Sequence, residues 1–192
     1  NINIKNYYSN SIASDTFKKL YREYEAELEA RNKLDFEDML SLTYELLSER
    51  KDILTAVQNR YQYILVDEFQ DINFLQYNII KLMAGKNQNI TVVGDDDQSI
   101  YRFRGARPEI MLGFERDFKN VSKVFLDINF RSSTQIVDAS TKLISFNSKR
   151  FPKTFTAHNG SGAPVSVIEF KNPFAEVNTI VNDIKEYIKS GH

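Results

Sequence analysis

The chain has 192 residues, of which 42% are hydrophobic and 27% charged, as in ordinary globular proteins of one or two small domains. Its formal net charge is −1, so any contact with nucleic acid must come from a local basic patch. It has no cysteine and two histidines, which excludes disulfides, thiolate metal sites and cysteine nucleophiles and argues against a histidine-based zinc site.

The first third of the chain is predicted to be helical. Apolar residues recur at helical spacing in three segments, which cover approximately residues 17–28, 35–47 and 52–58. Ser14 or Asp15 is suited to cap the first helix. Asp35 begins the second helix, and Asp38 three residues later completes a capping box.

A strand, a helix and a second strand follow. The apolar runs 64–66 and 90–93 have the composition of buried parallel strands. The helix between them is predicted to begin after Asn73 and to end at Gly85. Its predicted core residues are Phe74, Leu75, Ile79, Ile80, Leu82 and Met83. This order predicts a βαβ unit, and Pro108 then begins another helix.

The polar stretch from Asp117 to Ser122 is predicted to be a hinge between two lobes. The elements predicted after it are a strand over 123–127, a helix over 134–147, a long or mobile loop over 148–164, a strand over 165–170 and an amphipathic helix over 174–188. The fold class is therefore α/β with parallel sheets.

Acidic residues follow the first predicted strand in the segment Asp67-Glu-Phe-Gln-Asp71. Open α/β sheets bind ligands at the carboxyl ends of their strands, so a pair of acids there lies where ligand chemistry takes place. One carboxylate can hold Mg²⁺ on a nucleotide while the other accepts the proton of an attacking water. The alternative is that both acids simply enter a solvated loop.

The second strand is followed by Gly94-Asp-Asp-Asp-Gln-Ser-Ile-Tyr-Arg-Phe-Arg-Gly-Ala106. Its Tyr-Arg-Phe-Arg part alternates aromatic rings with guanidinium groups, a composition that favours sequence-tolerant binding of single strands. Gly105 and the polar neighbours indicate an exposed loop. The alternative is that Tyr101 and Phe103 are core residues and the arginines are merely solvated.

With Leu126-Asp-Ile-Asn-Phe-Arg-Ser-Ser133, these segments resemble superfamily 1 DNA helicases of the UvrD/Rep/PcrA type. They are similar to the family's Walker B segment, its motif that couples nucleotide to DNA, and the first motif of its second motor domain. Residues 34–39 also resemble the segment that re-enters the first motor domain. The resemblance implies parts of two RecA-like, P-loop NTPase lobes.

The resemblance also implies the residues of an ATP site. Asp67 would hold Mg²⁺, and Glu68 would be the general base for water that attacks the γ-phosphate. Gln98 would contact that phosphate, and Arg131 would reach it from the second lobe as an arginine finger. Phe130 occupies the position whose ring stacks on adenine. For Arg131, a structural salt bridge is the alternative.

The resemblance also implies which residues bind DNA. Tyr101 and Phe103 would stack on bases of single-stranded DNA, at single-strand/duplex junctions as well. Arg102, Arg104 and Arg107 would contact backbone phosphates. Many family members have Trp at the position of Phe103, so the ring here offers a smaller stacking surface.

By resemblance, residues 1–34 would be the end of a helical accessory insertion, residues 35–119 part of the first motor domain, and residues 120–192 part of the second. The sequence contains no Gly-x-x-x-x-Gly-Lys-Ser/Thr phosphate-binding loop and begins with Asn1 rather than Met. We therefore expect an internal piece of an ATP-dependent 3′–5′ helicase that is inactive in isolation.

Two other interpretations remain open. The chain could belong to the helicase subunit of a recombination nuclease, or it could be a non-catalytic single-strand-binding module with vestigial acids. No segment reaches transmembrane length and no signal peptide opens the chain, so we expect no membrane partner and a cytoplasmic, nucleoid-associated protein.

Overall fold

The computed structural model describes residues 11–191, apart from the side chain of Arg104. The chain divides into two compact units, the first ending at Lys123 and the second beginning at Val124. The described strands form two separate sheets of two strands each, one in each unit. None of the helices in this described part is long and apolar enough to cross a membrane.

Three helices open the first unit, and they are α1 (Ser14–Ala30), α2 (Phe36–Glu49) and α3 (Lys51–Arg60). The predicted capping box of α2 is confirmed: Asp35 Oδ1 accepts from the Asp38 backbone N–H at 2.8 Å, and Asp38 Oδ2 accepts from the Asp35 N–H at 3.2 Å. The predicted cap of α1 is wrong. Ala13 precedes that helix and Ser14 is its first residue, so no side chain caps it.

The predicted βαβ unit is confirmed. β1 (Ile64–Val66) pairs in parallel with β2 (Ile90–Val92), and α4 (Phe74–Ala84) connects them. The side chain of Asn73 caps α4, and Gly85 ends it with φ of 52°, a conformation that glycine adopts without steric cost. The strands are not buried on both faces, because Leu65 is exposed whereas Ile64 and Val66 pack on the core.

Aromatic rings fill the core beside this sheet. The Phe69 ring centroid lies 5.5 Å from that of Phe114 in an edge-to-face contact. Phe114 belongs to α6 (Phe114–Asp117), which follows α5 (Pro108–Leu112). Of the core residues predicted on α4, Phe74 is instead exposed, because the helix turns its Tyr77 and Ala84 face inward.

The second unit contains β3 (Ile128–Asn129), α7 (Thr134–Ile144), β4 (Thr156–Ala157) and α8 (Pro173–Lys189). β3 pairs in parallel with β4, which lies inside the segment predicted to be a loop. The prediction of a strand over 123–127 is wrong. Pairing begins only where the Thr156 N–H donates to the Asp127 carbonyl at 2.9 Å, and Val124 and Leu126 before it are exposed.

The strand predicted over 165–170 is also absent, because its alternating residues have no partner strand in the described chain. Val167, for example, is exposed. The segment 158–162 is ordered against the start of α7. There the Gly160 carbonyl accepts from the Thr134 N–H at 2.8 Å. Val137 is the buried residue of α7, while the apolar side chains of Ile136 and Leu143 on the same helix are exposed.

Candidate functional site

The acids that follow β1 are exposed, and the second has an unusual backbone. Glu68 has φ of 49° and ψ of 41°, the left-handed region that residues other than glycine seldom adopt. Hydrogen bonds hold this turn, because the Glu68 N–H donates to Asp67 Oδ1 at 2.9 Å and the Asp71 N–H donates to the Glu68 carbonyl at 2.9 Å. Such strain costs roughly 1–3 kcal/mol and occurs preferentially at functional sites.

Gln70 lies behind these acids with only 2% of its surface exposed. Its Nε2 donates to Glu68 Oε2 at 2.8 Å, and its Oε1 accepts from the Asp95 backbone N–H at 3.0 Å. Its carbonyl accepts from Ser99 Oγ at 3.2 Å. No role is predicted for Gln70 from the sequence. The signal that could have found it is an amide between acids at the end of a strand.

The loop after β2 approaches Gln70 so closely that only glycine fits at position 94. A Cβ at Gly94 would lie 2.5 Å from Gln70 Oε1 and 3.1 Å from the Phe69 nitrogen. The Phe69 N–H also donates to the Val93 carbonyl at 2.9 Å. The loops after β1 and β2 are therefore packed against each other.

Gln98 lies in this second loop and is exposed. Its Nε2 donates to Asp95 Oδ2 at 2.8 Å, while Asp95 Oδ1 accepts from the Asp97 N–H at 3.1 Å. Asp67, Glu68 and Gln98 thus follow the carboxyl ends of two hydrogen-bonded parallel strands. This is the edge at which open α/β sheets bind ligands.

Three residues beyond Gln98 the same loop presents two exposed rings. Phe103 is 79% exposed, and its ring centroid lies 6.1 Å from that of Tyr101 at an interplanar angle of 55°. The alternative that Phe103 is a core residue is therefore wrong. Gly105 with φ of 89° ends the short 3-10 turn at residues 102–104. Its left-handed conformation lets the Ala106 N–H donate a hydrogen bond to the Tyr101 carbonyl at 3.3 Å.

The described arginines of this loop are exposed. Arg102 forms an ion pair with Glu109 at 3.4 Å, and both side chains are exposed, so it contributes little to stability. The Arg107 guanidinium lies 5.8 Å from the centroid of the Phe74 ring. The side chain of Arg104 is outside the described part of the structure.

Phe130 and Arg131 belong to the second unit, in the turn after β3. Asn129 Oδ1 shapes this turn by accepting from the Arg131 N–H at 3.0 Å and the Ser132 N–H at 2.8 Å. The exposed Phe130 ring lies 4.7 Å from the His158 ring. The guanidinium of Arg131 is exposed, and no residue described here forms an ion pair with it, so the predicted alternative of a structural salt bridge is not observed.

The described residues contain no cluster of three or more acidic or histidine side chains that could hold a metal unaided. Asp67 is exposed, and only its Oδ1 accepts a hydrogen bond within the part of the chain that is described. Mg²⁺ is commonly bound by one or two carboxylates together with substrate phosphates. The donor set at the end of β1 therefore fits a nucleotide-bound Mg²⁺ better than a metal site made of protein alone.

Comparison with protein families gives two matches that together cover nearly the whole chain. The family model for the UvrD/REP helicase N-terminal domain matches residues 2–119. The model for the UvrD-like helicase C-terminal domain matches residues 124–192.

Several bacterial helicases are similar to the chain. A putative ATP-dependent DNA helicase, YjcD of Bacillus subtilis, is 41% identical over 174 residues, which are 90% of this chain and 23% of that protein. The ATP-dependent DNA helicase PcrA of Leuconostoc citreum is 37% identical over 178 residues, 93% of this chain and 24% of its own length. A probable DNA helicase II homolog of Mycoplasma capricolum is 38% identical over 182 residues, which are 95% of this chain and 25% of that protein. The chain therefore spans about a quarter of the length of these relatives.

Proposed function

The chain belongs to the UvrD/Rep family of DNA helicases, and we propose that it forms part of an ATP-dependent enzyme that moves 3′ to 5′ along single-stranded DNA and unwinds duplexes during repair or replication. One observation carries this proposal. The exposed acids after β1 and Gln98 after β2 share one edge of the sheet, and the loop that bears Gln98 continues directly into the exposed rings of Tyr101 and Phe103. Acting on chromosomal DNA would place the enzyme in the bacterial cytoplasm, at the nucleoid.

Asp67 and Glu68 divide the chemistry of ATP hydrolysis in this proposal. Asp67 would hold the Mg²⁺ of the nucleotide, and the bound ion would neutralise charge on the phosphates. Glu68 accepts the proton of the attacking water, a role for which its exposed carboxylate and fixed backbone are suited. Gln98 contacts the γ-phosphate, and its bond to Asp95 keeps its amide at the edge of the sheet.

The second unit contributes Phe130 and Arg131. The exposed face of the Phe130 ring stacks on adenine. The exposed guanidinium of Arg131, which forms no ion pair with a described residue, stabilises charge on the transferred phosphoryl group, as arginine fingers do. In this interpretation residues 1–34 close an accessory insertion, residues 35–119 belong to the first motor domain and residues 120–192 to the second.

Single-stranded DNA lies on the loop after β2. Tyr101 and Phe103 stack on successive bases, and each stacked base contributes about 1–3 kcal/mol. Arg102, Arg104 and Arg107 add contacts to the phosphates, so the affinity falls as the salt concentration rises. These contacts are independent of sequence and extend to junctions of single strand and duplex.

The proposal is tested by strand separation with the full-length protein that contains this chain. We expect a duplex with a 3′ single-stranded tail to be unwound in the presence of ATP and Mg²⁺, and a duplex with a 5′ tail to remain intact. Glu68→Gln should abolish unwinding while DNA binding persists, and Phe103→Ala should impair both. A non-catalytic binding module would respond to Phe103→Ala alone, and that result would contradict the proposal.

A further inference from the structure

We propose that Gln70 is a positioning residue that couples the general base Glu68 to the loop carrying Gln98 and the DNA-stacking rings. This inference rests on the proposed function, because it assigns Gln70 an effect on ATP turnover that is exerted through Glu68. Gln70 itself is buried and is not placed against the nucleotide or the DNA.

The nitrogen and the oxygen of the Gln70 side-chain amide both form hydrogen bonds, the nitrogen as a donor and the oxygen as an acceptor. The Nε2 donor meets the Glu68 carboxylate at 2.8 Å, and the Oε1 acceptor meets the Asp95 N–H at 3.0 Å. A carboxylate cannot donate and an ammonium cannot accept, so an amide fits this place. Asparagine, shorter by one methylene, would not reach both partners.

The surroundings of Gln70 leave its side chain little freedom. Gly94 lies so close that even a methyl group there would collide with Oε1, and Ser99 Oγ fixes the Gln70 carbonyl from the same loop. A displacement of the segment 94–99 therefore moves the amide, and the amide moves the carboxylate of Glu68. DNA that binds the rings of Tyr101 and Phe103, farther along the same loop, would act on the base by this route.

The test is a double-mutant cycle in the full-length protein, with Gln70→Met, Glu68→Gln and the double variant. Methionine has a similar volume but cannot replace either hydrogen bond. We expect Gln70→Met to lower the kcat of DNA-stimulated ATP hydrolysis by up to about a hundredfold, as misplaced catalytic groups do. The KM for ATP and the Kd for single-stranded DNA should stay within about threefold. In the Glu68→Gln background the same change should lower kcat by less than about threefold, because the base is already absent.

Gln58→Met is the matched control, because the side-chain amide of Gln58 also makes a long-range hydrogen bond: its Nε2 donates to the Leu82 carbonyl at 2.7 Å and joins α3 to the last turn of α4. It should lower thermal stability as Gln70→Met does and leave kcat unchanged. Gln70→Asn retains a buried amide and tests the reach of the side chain. We expect it to fold and to lose about tenfold or more in kcat.

Three results would overturn the inference, and they can be told apart. If Gln70→Met or Gln70→Asn retains full kcat, the bond to Glu68 does not position the base. If Gln70→Met lowers kcat by the same factor with and without Glu68, or raises KM and Kd together, Gln70 serves the fold alone. If Glu68→Gln itself leaves kcat unchanged, the proposed function fails as well, since Glu68 is then not the base.

Discussion

Replacing Phe103 by alanine should weaken binding of single-stranded DNA without damaging the fold. The ring is 79% exposed, so it contributes little to the core, and an exposed substitution of this kind changes stability by about 0.5 kcal/mol or less. In the proposed function the ring stacks on one base, and such a contact is worth about 1–3 kcal/mol. Because 1.4 kcal/mol corresponds to a factor of ten, the dissociation constant should rise roughly 5- to 150-fold.

Fluorescence anisotropy with a labelled oligonucleotide and the full-length protein measures this change directly. Phe146→Ala is the matched control, since Phe146 is 85% exposed but lies in the second unit, after α7. We expect its dissociation constant to equal that of the wild type, and we expect ATP hydrolysis without DNA to persist in both variants. Equal loss of affinity in the two variants, or none in Phe103→Ala, would refute the assignment of Phe103 to the DNA surface.

Two further predictions concern contacts within the first unit. Gly94→Ala should lower the free energy of unfolding, measured in urea, by about 1–3 kcal/mol, because the new methyl group collides with the Gln70 amide. It should also lower kcat. Unchanged stability would contradict this prediction, since the loop would then relax freely around the methyl group. Tyr77→Phe removes the 2.7 Å hydrogen bond to Asp117 and should lower the free energy of unfolding by about 1 kcal/mol near pH 7. That bond lowers the pKa of Asp117, so its contribution is present above the unfolded pKa of about 4 and is lost as the pH falls through the lower folded pKa. Urea unfolding at pH 7 and pH 2 should therefore show the effect of Tyr77→Phe shrinking in acid, and an effect independent of pH would contradict this account.

Features determined by neighbouring residues could be predicted from the sequence. The caps of α2 and α4 are examples, because Asp35 and Asn73 need only an N–H three residues away. The βαβ unit was also predictable, since its apolar runs are short and a helix of ordinary length separates them. Exposure of the Tyr101–Phe103 loop followed from the glycine and polar residues around it.

Features that depend on distant partners could not be predicted in this way. The run 123–127 has the composition of a strand, but pairing requires a neighbour, and β4 lies opposite residues 128–129 instead. The hydrogen bond from the Asp95 N–H to Gln70 Oε1 is another example, because it joins residues 25 positions apart that the pairing of β1 with β2 brings close. The exposure of Leu65 likewise depends on which elements cover each face of the sheet.

The central claim is that Glu68 is the base of an ATP-driven motor, and single-turnover ATP hydrolysis by the DNA-bound full-length protein tests it most directly. This measurement isolates the chemical step from binding and product release. Glu68→Gln should lower the rate of that step by about 10²–10⁴-fold while the affinities for ATP and single-stranded DNA remain near those of the wild type. An unchanged rate in Glu68→Gln would contradict the account.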